Sequence, residues 1–310
     1  MVLVTGATNF VGRAVVRGLT RRGYQVCCLV EPSRFEQDLP TDVTFSVLSA
    51  SLDDLAALRK AVKSVKVVIH LTREEERLRE RTLNDHAEGT RNLVRAASEQ
   101  GVSRFIYLSR LGATPASAYP LFRIKGEAET TVAESGLAHT NLRSAVVYGQ
   151  EDLFTTRLVM LAKMIPLILP IPDAGMVRFQ PVWVEDLARC VVDSVERKDL
   201  IGRMIQLGGP EHFTLEQMIR RILEAAGTRR SLFHVSMPIM QSGVDGLETI
   251  TGGAATPAWW LELAAVGSAT DLGTIPKHFN FEPCRFSHCL TYLRRDRPWR
   301  RAFIQHLLSR

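Results

Sequence analysis

Short apolar runs alternate with amphipathic segments through the first half of the chain. The runs at residues 2–4, 25–30, 43–48, 65–71 and 105–109 predict buried strands. Between them, apolar residues at helical spacing predict helices over residues 10–19, 53–62 and 90–99. Buried strands that alternate with helices indicate a parallel sheet covered on both faces, so we predict an α/β, Rossmann-type doubly wound fold.

The pattern continues with a wider spacing after residue 110. We predict a helix over residues 120–135, a strand over 139–147, a helix over 185–196 and a last strand over 205–207. Residues 1–150 are predicted to form the Rossmann domain, whose core is completed by about 180–208. Residues 150–180 and 209–310, which are helical and mixed in pattern, are predicted to form a smaller C-terminal lobe.

Composition indicates a soluble globular protein. Of the 310 residues, 45% are hydrophobic and 23% are charged, which suffices for a core without disulfides or metal. The longest apolar stretch, residues 158–171, is interrupted by Lys163, Pro166 and Pro170 and is too short to span a bilayer. The first strand begins at Val2, which leaves no room for a signal or transit peptide. We therefore expect a cytoplasmic protein, or one peripheral to a membrane complex.

The net charge of +6 is concentrated near the end of the chain. Residues 293–301 contain five arginines against one acid, Asp296. Such a segment is typical of a solvated terminal helix, which is the favoured interpretation, or of a docking site for an acidic protein, a membrane surface or nucleic acid. The alternative to a solvated helix is a protein partner bound through this segment, with at most peripheral membrane contact. No reading helix or aromatic platform accompanies the charge, and no nucleic acid is expected.

Cysteine and histidine give no metal pattern. None of the five cysteines lies in a C-x-x-C pair, and we expect small buried hydrophobic side chains, as for the adjacent Cys27 and Cys28. His70 lies within an apolar strand and is predicted to be a hydrogen-bonded core residue. A cluster near the C-terminus fits no zinc spacing, and no metal is predicted; it consists of His278, Cys284, His288 and Cys289.

The turn after the first strand carries the strongest chemical signal. It has the sequence Thr5-Gly6-Ala7-Thr8-Asn9-Phe10-Val11-Gly12, and it links a strand to a helix. Free amides at the start of that helix would meet a pyrophosphate, and Gly12 would let the helix pack closely on the strand. Asn9 stands where the usual pattern has its middle glycine; asparagine is the next most tolerant residue for a left-handed conformation.

The end of the second strand is expected to select the cofactor. Glu31 lies nineteen positions after Gly12, close to the spacing of an acid that binds the ribose hydroxyls, and this favours NAD. Arg34 favours NADP, because it could bind a ribose 2′-phosphate. The cofactor is therefore NAD or NADP, with NAD favoured. The predicted cofactor-binding residues are Thr5, Gly6, Thr8, Asn9, Phe10, Val11, Gly12, Glu31, Arg34, Leu71 and Lys125.

Several segments in the same order resemble the extended and atypical short-chain dehydrogenase/reductases. Besides the glycine turn, they are Asn84 with Gly89-Thr90 and Asn92-Leu93, the run from Val102 to Ser109 followed by Leu111-Gly112-Ala113, Lys125-Gly126-Glu127-Ala128-Glu129, Asn141-Leu142-Arg143-Ser144, and the run from Phe179 to Asp186. Within the family the chain looks most like the NmrA-like branch, the NAD(P)H-binding accessory subunit of respiratory complex I, and the NAD-dependent epimerase/dehydratase proteins. The resemblance covers roughly residues 1–240.

The resemblance implies a catalytic tyrosine four residues before a ribose-binding lysine. Lys125 is present, but Leu121 occupies the position of the tyrosine. The nearest tyrosine, Tyr119, lies six residues before the lysine, well off its helical face. Ser109 matches the family serine at the exit of the fifth strand. The candidate catalytic residues are therefore Lys125, Tyr119 and Ser109, of which the tyrosine is displaced.

Two functions remain open at this point. In the first, favoured here, the chain is a cofactor-holding accessory or assembly subunit whose catalytic tyrosine is degraded. In the second it is an active NAD(P)-dependent oxidoreductase or epimerase/dehydratase-type enzyme with a shifted acid, which the intact Lys125 and the C-terminal lobe favour.

Overall fold

The computed structural model describes residues 1–32, 39–71, 80–150, 152, 154–165, 167–173, 177–251 and 259–294. The chain divides into two compact units. The first comprises Met1–Ser144, Val184–Leu207 and Thr274–Phe281, and the second comprises Ala145–Trp183, Gly208–Gly273 and Glu282–Arg310.

The strands and helices alternate along the chain. The strands are β1 (Val2–Thr5), β2 (Val26–Val30), β3 (Ser46–Ser49), β4 (Val67–Leu71), β5 (Arg104–Arg110), β6 (His139–Ser144), β7 (Val147–Tyr148), β8 (Ile168–Pro172), β9 (Arg178–Phe179), β10 (Val182–Trp183), β11 (Arg203–Leu207), β12 (Phe213–Thr214) and β13 (Ser231–Val235). The helices are α1 (Phe10–Arg21), α2 (Leu55–Ala61), α3 (Glu80–Glu99), α4 (Pro120–Ala133), α5 (Thr155–Met164), α6 (Val184–Asp193), α7 (Leu215–Ala225), α8 (Met237–Thr251), α9 (Trp259–Val266), α10 (Thr274–Phe279) and α11 (Phe286–Cys289).

The first unit is built on a seven-stranded parallel sheet, which confirms the predicted fold class. Its strand order is β11-β6-β5-β4-β1-β2-β3. Every neighbouring pair is parallel, and Thr5 at the end of β1 is paired with His70 of β4. The chain moves outward from β1 to β3 and then restarts on the other side with β4. This reversal creates a crevice beyond the carboxyl ends of β1 and β4, where doubly wound folds bind their ligands.

Helices cover both faces of this sheet. On one face α1 packs against α6, and the absence of a side chain at Gly18 lets the helices approach, since a Cβ there would lie 3.1 Å from Val192 Cγ2. On the other face α2, α3 and α4 enclose an apolar core that includes Leu3, Phe105 and Tyr107. The burial of these side chains on both faces explains why the strands appear as continuous apolar runs.

Several predicted boundaries differ from the structure. The third strand is shorter than predicted, and the helix predicted from residue 90 begins ten residues earlier, at Glu80. The strand predicted over residues 139–147 ends at Ser144, whose carbonyl accepts a hydrogen bond from the Leu111 amide at 2.9 Å. Residues 147 and 148 instead form β7, which pairs in parallel with β10.

Among its described residues, the second unit contains three two-stranded sheets and several helices. The sheets are β7–β10 and β8–β13, both parallel, and the antiparallel pair β9–β12. Helix α7 begins with a capping box, in which Thr214 and Gln217 bond each other's backbone amides. Cys284 and Cys289 form a disulfide bond, which corrects the expectation that all five cysteines are simple buried hydrophobes. Cys27, Cys28 and Cys190 are buried and free, as predicted.

Candidate functional site

The turn that follows β1 is packed directly against the end of β4. Gly6 has a φ of +69°, a left-handed conformation that favours glycine. A Cβ at Gly6 would overlap the carbonyl oxygen of Leu71, the last residue of β4. The Asn9 amide donates to the Gly6 carbonyl at 3.1 Å and closes the turn. The backbone of this turn therefore lies at the crevice where the order of the strands reverses.

Gly12 allows the first turn of α1 to rest on the same loop. A Cβ at Gly12 would overlap the carbonyl oxygen of Gly6 and would lie 2.8 Å from Cα of Ala7. Real Cβ atoms do not approach backbone this closely, so any larger residue must displace the turn or the helix. The two glycines are therefore required for the shape of the loop itself.

Asn9 is a helix cap, and its backbone is extended. Its φ is −76° and its ψ is 166°, so the left-handed conformation considered from the sequence is not needed at this position. Its Oδ1 accepts a hydrogen bond from the Gly12 amide at 2.6 Å. Asparagine therefore replaces the usual glycine without backbone strain, and its side chain uses one of the amides at the start of α1.

The remaining groups of the turn fit an anionic ligand. Phe10 and Val11 are the first two residues of α1, and helix geometry gives their amides no acceptor within the helix. The helix dipole adds partial positive charge at the same point. Arg13 lies beside the turn, where its Nη1 donates to the Thr8 carbonyl at 2.8 Å. The turn therefore offers amides without helical acceptors and an adjacent guanidinium, and its two glycines leave room next to the backbone. This arrangement suits a bound pyrophosphate.

Thr5 is joined to α3 through a buried histidine. Thr5 Oγ1 lies 2.6 Å from Nδ1 of His70, and Nε2 of His70 lies 3.0 Å from Oγ1 of Thr90. Because the Thr90 hydroxyl already donates to the His86 carbonyl, it must accept from Nε2, and Thr5 must donate to Nδ1. This arrangement needs the neutral ring, and burial lowers the pKa of His70 to about 3. The prediction of a hydrogen-bonded core histidine is confirmed.

The structure places Glu31 directly after β2, exposed to solvent. Arg34 lies outside the described residues. The Thr5 hydroxyl donates its proton to His70, so it has no proton left to offer a ligand. Leu71 is buried, and its carbonyl forms one wall of the turn.

Lys125 and Ser109 lie on the face of the sheet that α4 covers. Lys125 is only 4% exposed. Its Nζ lies 3.4 Å from the Leu108 carbonyl oxygen and 5.7 Å from the ring centroid of Tyr107. Side chains alternate along β5, so Ser109 shares the face of Tyr107. Ser109 is fully buried, and within the described part of the chain its Oγ has no hydrogen-bond partner.

The predicted tyrosine does not lie on the helix that carries Lys125. Tyr119 is the residue before α4, it is 38% exposed, and its ring packs edge-on against Phe122. Leu121, one turn before Lys125, is buried. The structure therefore brings Lys125 and Ser109 to one face of the sheet, but it leaves Tyr119 at the entrance of the helix.

An ion pair between the partly exposed Arg143 and the buried Glu129 was not predicted from the sequence. Arg143 donates through Nε to Oε1 of Glu129 at 2.8 Å and through Nη2 to Oε2, and it also bonds the Ala113 carbonyl at 2.9 Å. The pair ties α4 to the end of β6 and to the loop after β5. That loop packs on α4 at Gly126, where a Cβ would overlap the backbone of Thr114. Both residues stand in the sequence motifs, but nothing in their spacing indicated that they pair.

A parallel, doubly wound sheet with this turn defines a dinucleotide-binding protein of the Rossmann type. A family model described as NAD(P)H-binding matches residues 6–163. Since this match covers about half of the chain, the chain belongs to this NAD(P)H-binding family, and its fold is that of a short-chain dehydrogenase/reductase-like protein. The family resemblance inferred from the sequence motifs is confirmed, as is NAD(P) as the cofactor class.

Named relatives include subunits and assembly factors. The chain is 30% identical over 225 residues to NADH dehydrogenase [ubiquinone] 1 alpha subcomplex subunit 9 of Arabidopsis thaliana, covering 69% of this chain and 55% of that protein. It is 31% identical over 139 residues to the photosystem II assembly factor Ycf39 of Cyanophora paradoxa, covering 45% of this chain and 43% of the relative. The matched region thus spans less than two-thirds of either relative.

Solved structures share the fold. A nucleoside-diphosphate-sugar epimerase from Staphylococcus aureus superposes with a TM-score of 0.76 and 20% sequence identity, covering 95% of this chain and 99% of that chain. At this identity the likeness concerns the fold alone. Within the described ranges, no helix is both long enough and apolar enough to cross a bilayer.

Proposed function

We propose that the protein holds NAD(P) as an accessory or assembly subunit and turns over carbonyl substrates slowly or not at all. The observation that carries this proposal is Leu121, a buried apolar side chain one helical turn before Lys125. In the family resemblance this is the position of the proton donor. Leucine has no proton to give, and the loss of general acid–base help typically lowers a rate by roughly two to four orders of magnitude.

Tyr119 is a poor substitute for that donor. It precedes the helix, its ring packs on Phe122, and more than a third of the residue is exposed to water. Its position six residues before Lys125 also lies well off the helical face of the lysine.

The residues toward the cofactor are assigned by chemistry. We assign the amides of Phe10 and Val11 to the pyrophosphate, Glu31 to the adenosine ribose hydroxyls and Lys125 to the nicotinamide ribose. When bound, the cofactor supplies or accepts a hydride. Glu31, exposed at the end of β2, favours NAD because its carboxylate would repel a 2′-phosphate, whereas Arg34 would favour NADP.

The names of the relatives support a role within an assembly, since they describe a subunit of one complex and an assembly factor of another. We assign the partner contact to the basic segment at residues 293–301, most of which lies outside the described residues. A location peripheral to a membrane complex is consistent with this role, and recognition of nucleic acid is not part of it.

The alternative function is an active oxidoreductase or epimerase-type enzyme. The specific observation in its favour is Ser109, whose buried Oγ has no hydrogen-bond partner within the described part of the chain. A buried hydroxyl without a partner is costly and is often found where a ligand completes the bond. The fold of the epimerase neighbour would support the same chemistry.

One set of experiments separates these functions. Calorimetric titration with NADH and NADPH should show binding, tighter for NADH, and Lys125→Met should weaken it roughly tenfold, about 1.4 kcal/mol. Tyr119→Phe should leave binding unchanged. Consumption of NADH and NADPH with quinones and carbonyl compounds should be near background and should rise in Leu121→Tyr, with thermal melting to check that the larger side chain is tolerated.

Fast turnover by the unmodified protein, abolished by Tyr119→Phe, would establish the enzyme and make Tyr119 its acid. Failure to bind either nucleotide would reject both functions. A clear NADPH preference that Arg34→Ala removes would overturn the assignment of cofactor choice to Glu31.

A further inference from the structure

An apolar surface in the second unit is left open by the two-stranded sheet of β8 and β13. In the parallel register, Ile168 lies opposite Ser231 and Pro170 lies opposite Phe233. Paired residues project to the same side, and all four of these are exposed. The alternate residues of β8, Leu169 and Ile171, are buried on the other side. In β8 one face is thus core, and the face that carries Ile168 and Pro170 is exposed together with Ser231 and Phe233 of β13.

The turn that leads into β8 extends this surface. Leu167 is 79% exposed, Phe233 is 61% exposed and Ile168 is 53% exposed. The Ser231 amide donates to the Leu167 carbonyl at 2.9 Å, so the beginnings of both strands are held together. We call Met164, Leu167, Ile168, Pro170 and Phe233 the apolar apex. Single exposed apolar residues are common, whereas a cluster of neighbours indicates a contact surface.

The backbone conformation of Leu167 indicates that its exposure is maintained by specific interactions. Its φ is +68°, a left-handed conformation that is unfavourable for a residue with a large side chain. Arg230 stabilises this reversal, since its Nε donates to the carbonyls of Ala162 at 2.7 Å and Ile165 at 2.9 Å. The chain therefore holds a leucine in strained backbone geometry and presents its side chain to solvent, which brings no gain within the unit.

Cations lie next to the apex. Lys163 precedes Met164 at the end of α5, and Arg229 and Arg230 precede β13, so three cations flank the beginnings of the two strands. Acids lie on the neighbouring elements: Asp173 follows the far end of β8, Glu224 lies near the end of α7, and Asp245 lies on α8. On the opposite side of β13, His234 contacts Glu216 at 3.2 Å.

We propose that the apolar apex inserts into the headgroup region of an anionic lipid bilayer while Lys163 and Arg229 contact lipid phosphates. Aliphatic and aromatic side chains surrounded by cations match this interface, because the apolar groups leave water and the cations meet negative headgroups. A purely apolar protein surface would match the apex but would not complement the positive charge beside it. This surface is distinct from the basic segment at the C-terminus and does not depend on nucleotide turnover.

Flotation with vesicles tests the proposal on the full chain. The protein should float with vesicles of phosphatidylcholine containing roughly a third phosphatidylglycerol, and it should stay behind with phosphatidylcholine alone. Phe233→Ser should weaken vesicle binding about tenfold or more. The matched control is Leu272→Ser, which removes another exposed leucine of the same unit, 57% exposed, and should bind like the parent.

Leu167→Gly provides a second readout with the opposite sign. Glycine tolerates the positive φ, so this variant should melt at a higher temperature than the parent while its vesicle binding falls about tenfold. A residue with only a structural role would not raise stability and lower binding together. Arg229→Gln should weaken binding and its dependence on salt, whereas Arg178→Gln, another exposed arginine of this unit, should not.

Three results would overturn the proposal. One is equal binding to both vesicle compositions, and another is unchanged binding in Phe233→Ser and Leu167→Gly. The third is concentration-dependent self-association without vesicle binding that Leu167→Gly abolishes, which would make a second copy of the chain the occupant. Nucleotide titration of each variant separates these outcomes from a failure of the cofactor site.

Discussion

Mild acid should destabilise the first unit through His70. An unfolded histidine has a pKa of about 6.5, whereas the buried ring has a pKa of about 3. The unfolded chain therefore binds a proton between these values that the folded chain does not bind, so stability is complete above pH 6.5 and falls as the pH is lowered. From pH 7 to pH 5 the loss for one such group is about 2 kcal/mol.

Urea unfolding of the full chain at pH 7, 6 and 5 measures this loss. His70→Gln should be less stable at pH 7, because it disrupts the bonds to Thr5 and Thr90, but its stability should change less with pH by about 2 kcal/mol. The control is His288→Gln, which removes an exposed histidine and should retain the parental pH dependence. Burial also lowers the pKa of His278, and its contribution is the same in both proteins and cancels.

An identical pH dependence in the parent and in His70→Gln would refute the reasoning. It would mean that the ring is protonated in the folded protein, with Nδ1 donating to Thr5 rather than accepting from it.

Two further variants test the local geometry. Gly12→Ala should reduce nucleotide affinity at least tenfold and lower the melting temperature, because its Cβ overlaps the Gly6 carbonyl; Gly243→Ala, whose Cβ meets open space in α8, is the control and should not lower stability. Unchanged nucleotide binding in Gly12→Ala would show that the backbone of the turn can shift to accommodate the added Cβ without loss of the binding site. Glu129→Gln should cost about 2 kcal/mol in urea unfolding, since it removes the charge of a buried carboxylate that is paired with the partly exposed Arg143, while Glu216→Gln at an exposed helical pair should cost under about 0.5 kcal/mol. Equal costs would mean that the buried pair adds nothing beyond a surface pair.

The parts of the fold predicted well are those fixed by short stretches of sequence. The strands β1, β2 and β4 are runs of mostly apolar residues, and the glycine turn is constrained within eight residues, so both can be inferred from local pattern. The end of β6 was misplaced because residues 145–147 are apolar and continue the pattern of a buried strand. The chain leaves the sheet there because Val147 and Tyr148 pair with β10 instead, a contact distant in sequence.

Side-chain partners distant in sequence were beyond prediction. Arg104 is buried and donates to the Ala138 carbonyl at 2.8 Å, to Thr140 Oγ1 at 2.6 Å and to the Ser194 carbonyl at 3.1 Å. These partners lie in different elements, and the sequence shows only an arginine at the start of a strand. The spacing of Cys284 and Cys289 in the sequence does not distinguish a disulfide bond from two free cysteines. For Asn9 the sequence suggested a left-handed backbone, whereas the residue is extended and its side chain caps α1, which the sequence does not reveal.

Cofactor binding and proton transfer make different demands on the same region, and this difference supports the proposed function. Binding at the turn depends on backbone amides and on two missing side chains, which Asn9 preserves by capping α1. Proton transfer depends on one phenol at one position of α4, and there the chain has Leu121. Lys125 is buried, with its Nζ 3.4 Å from the Leu108 carbonyl oxygen, and the residue one helical turn before it is the apolar Leu121. A lysine that binds the nicotinamide ribose serves cofactor binding even without a proton donor beside it, so the combination of Lys125 and Leu121 fits a protein that holds the cofactor better than one that transfers protons.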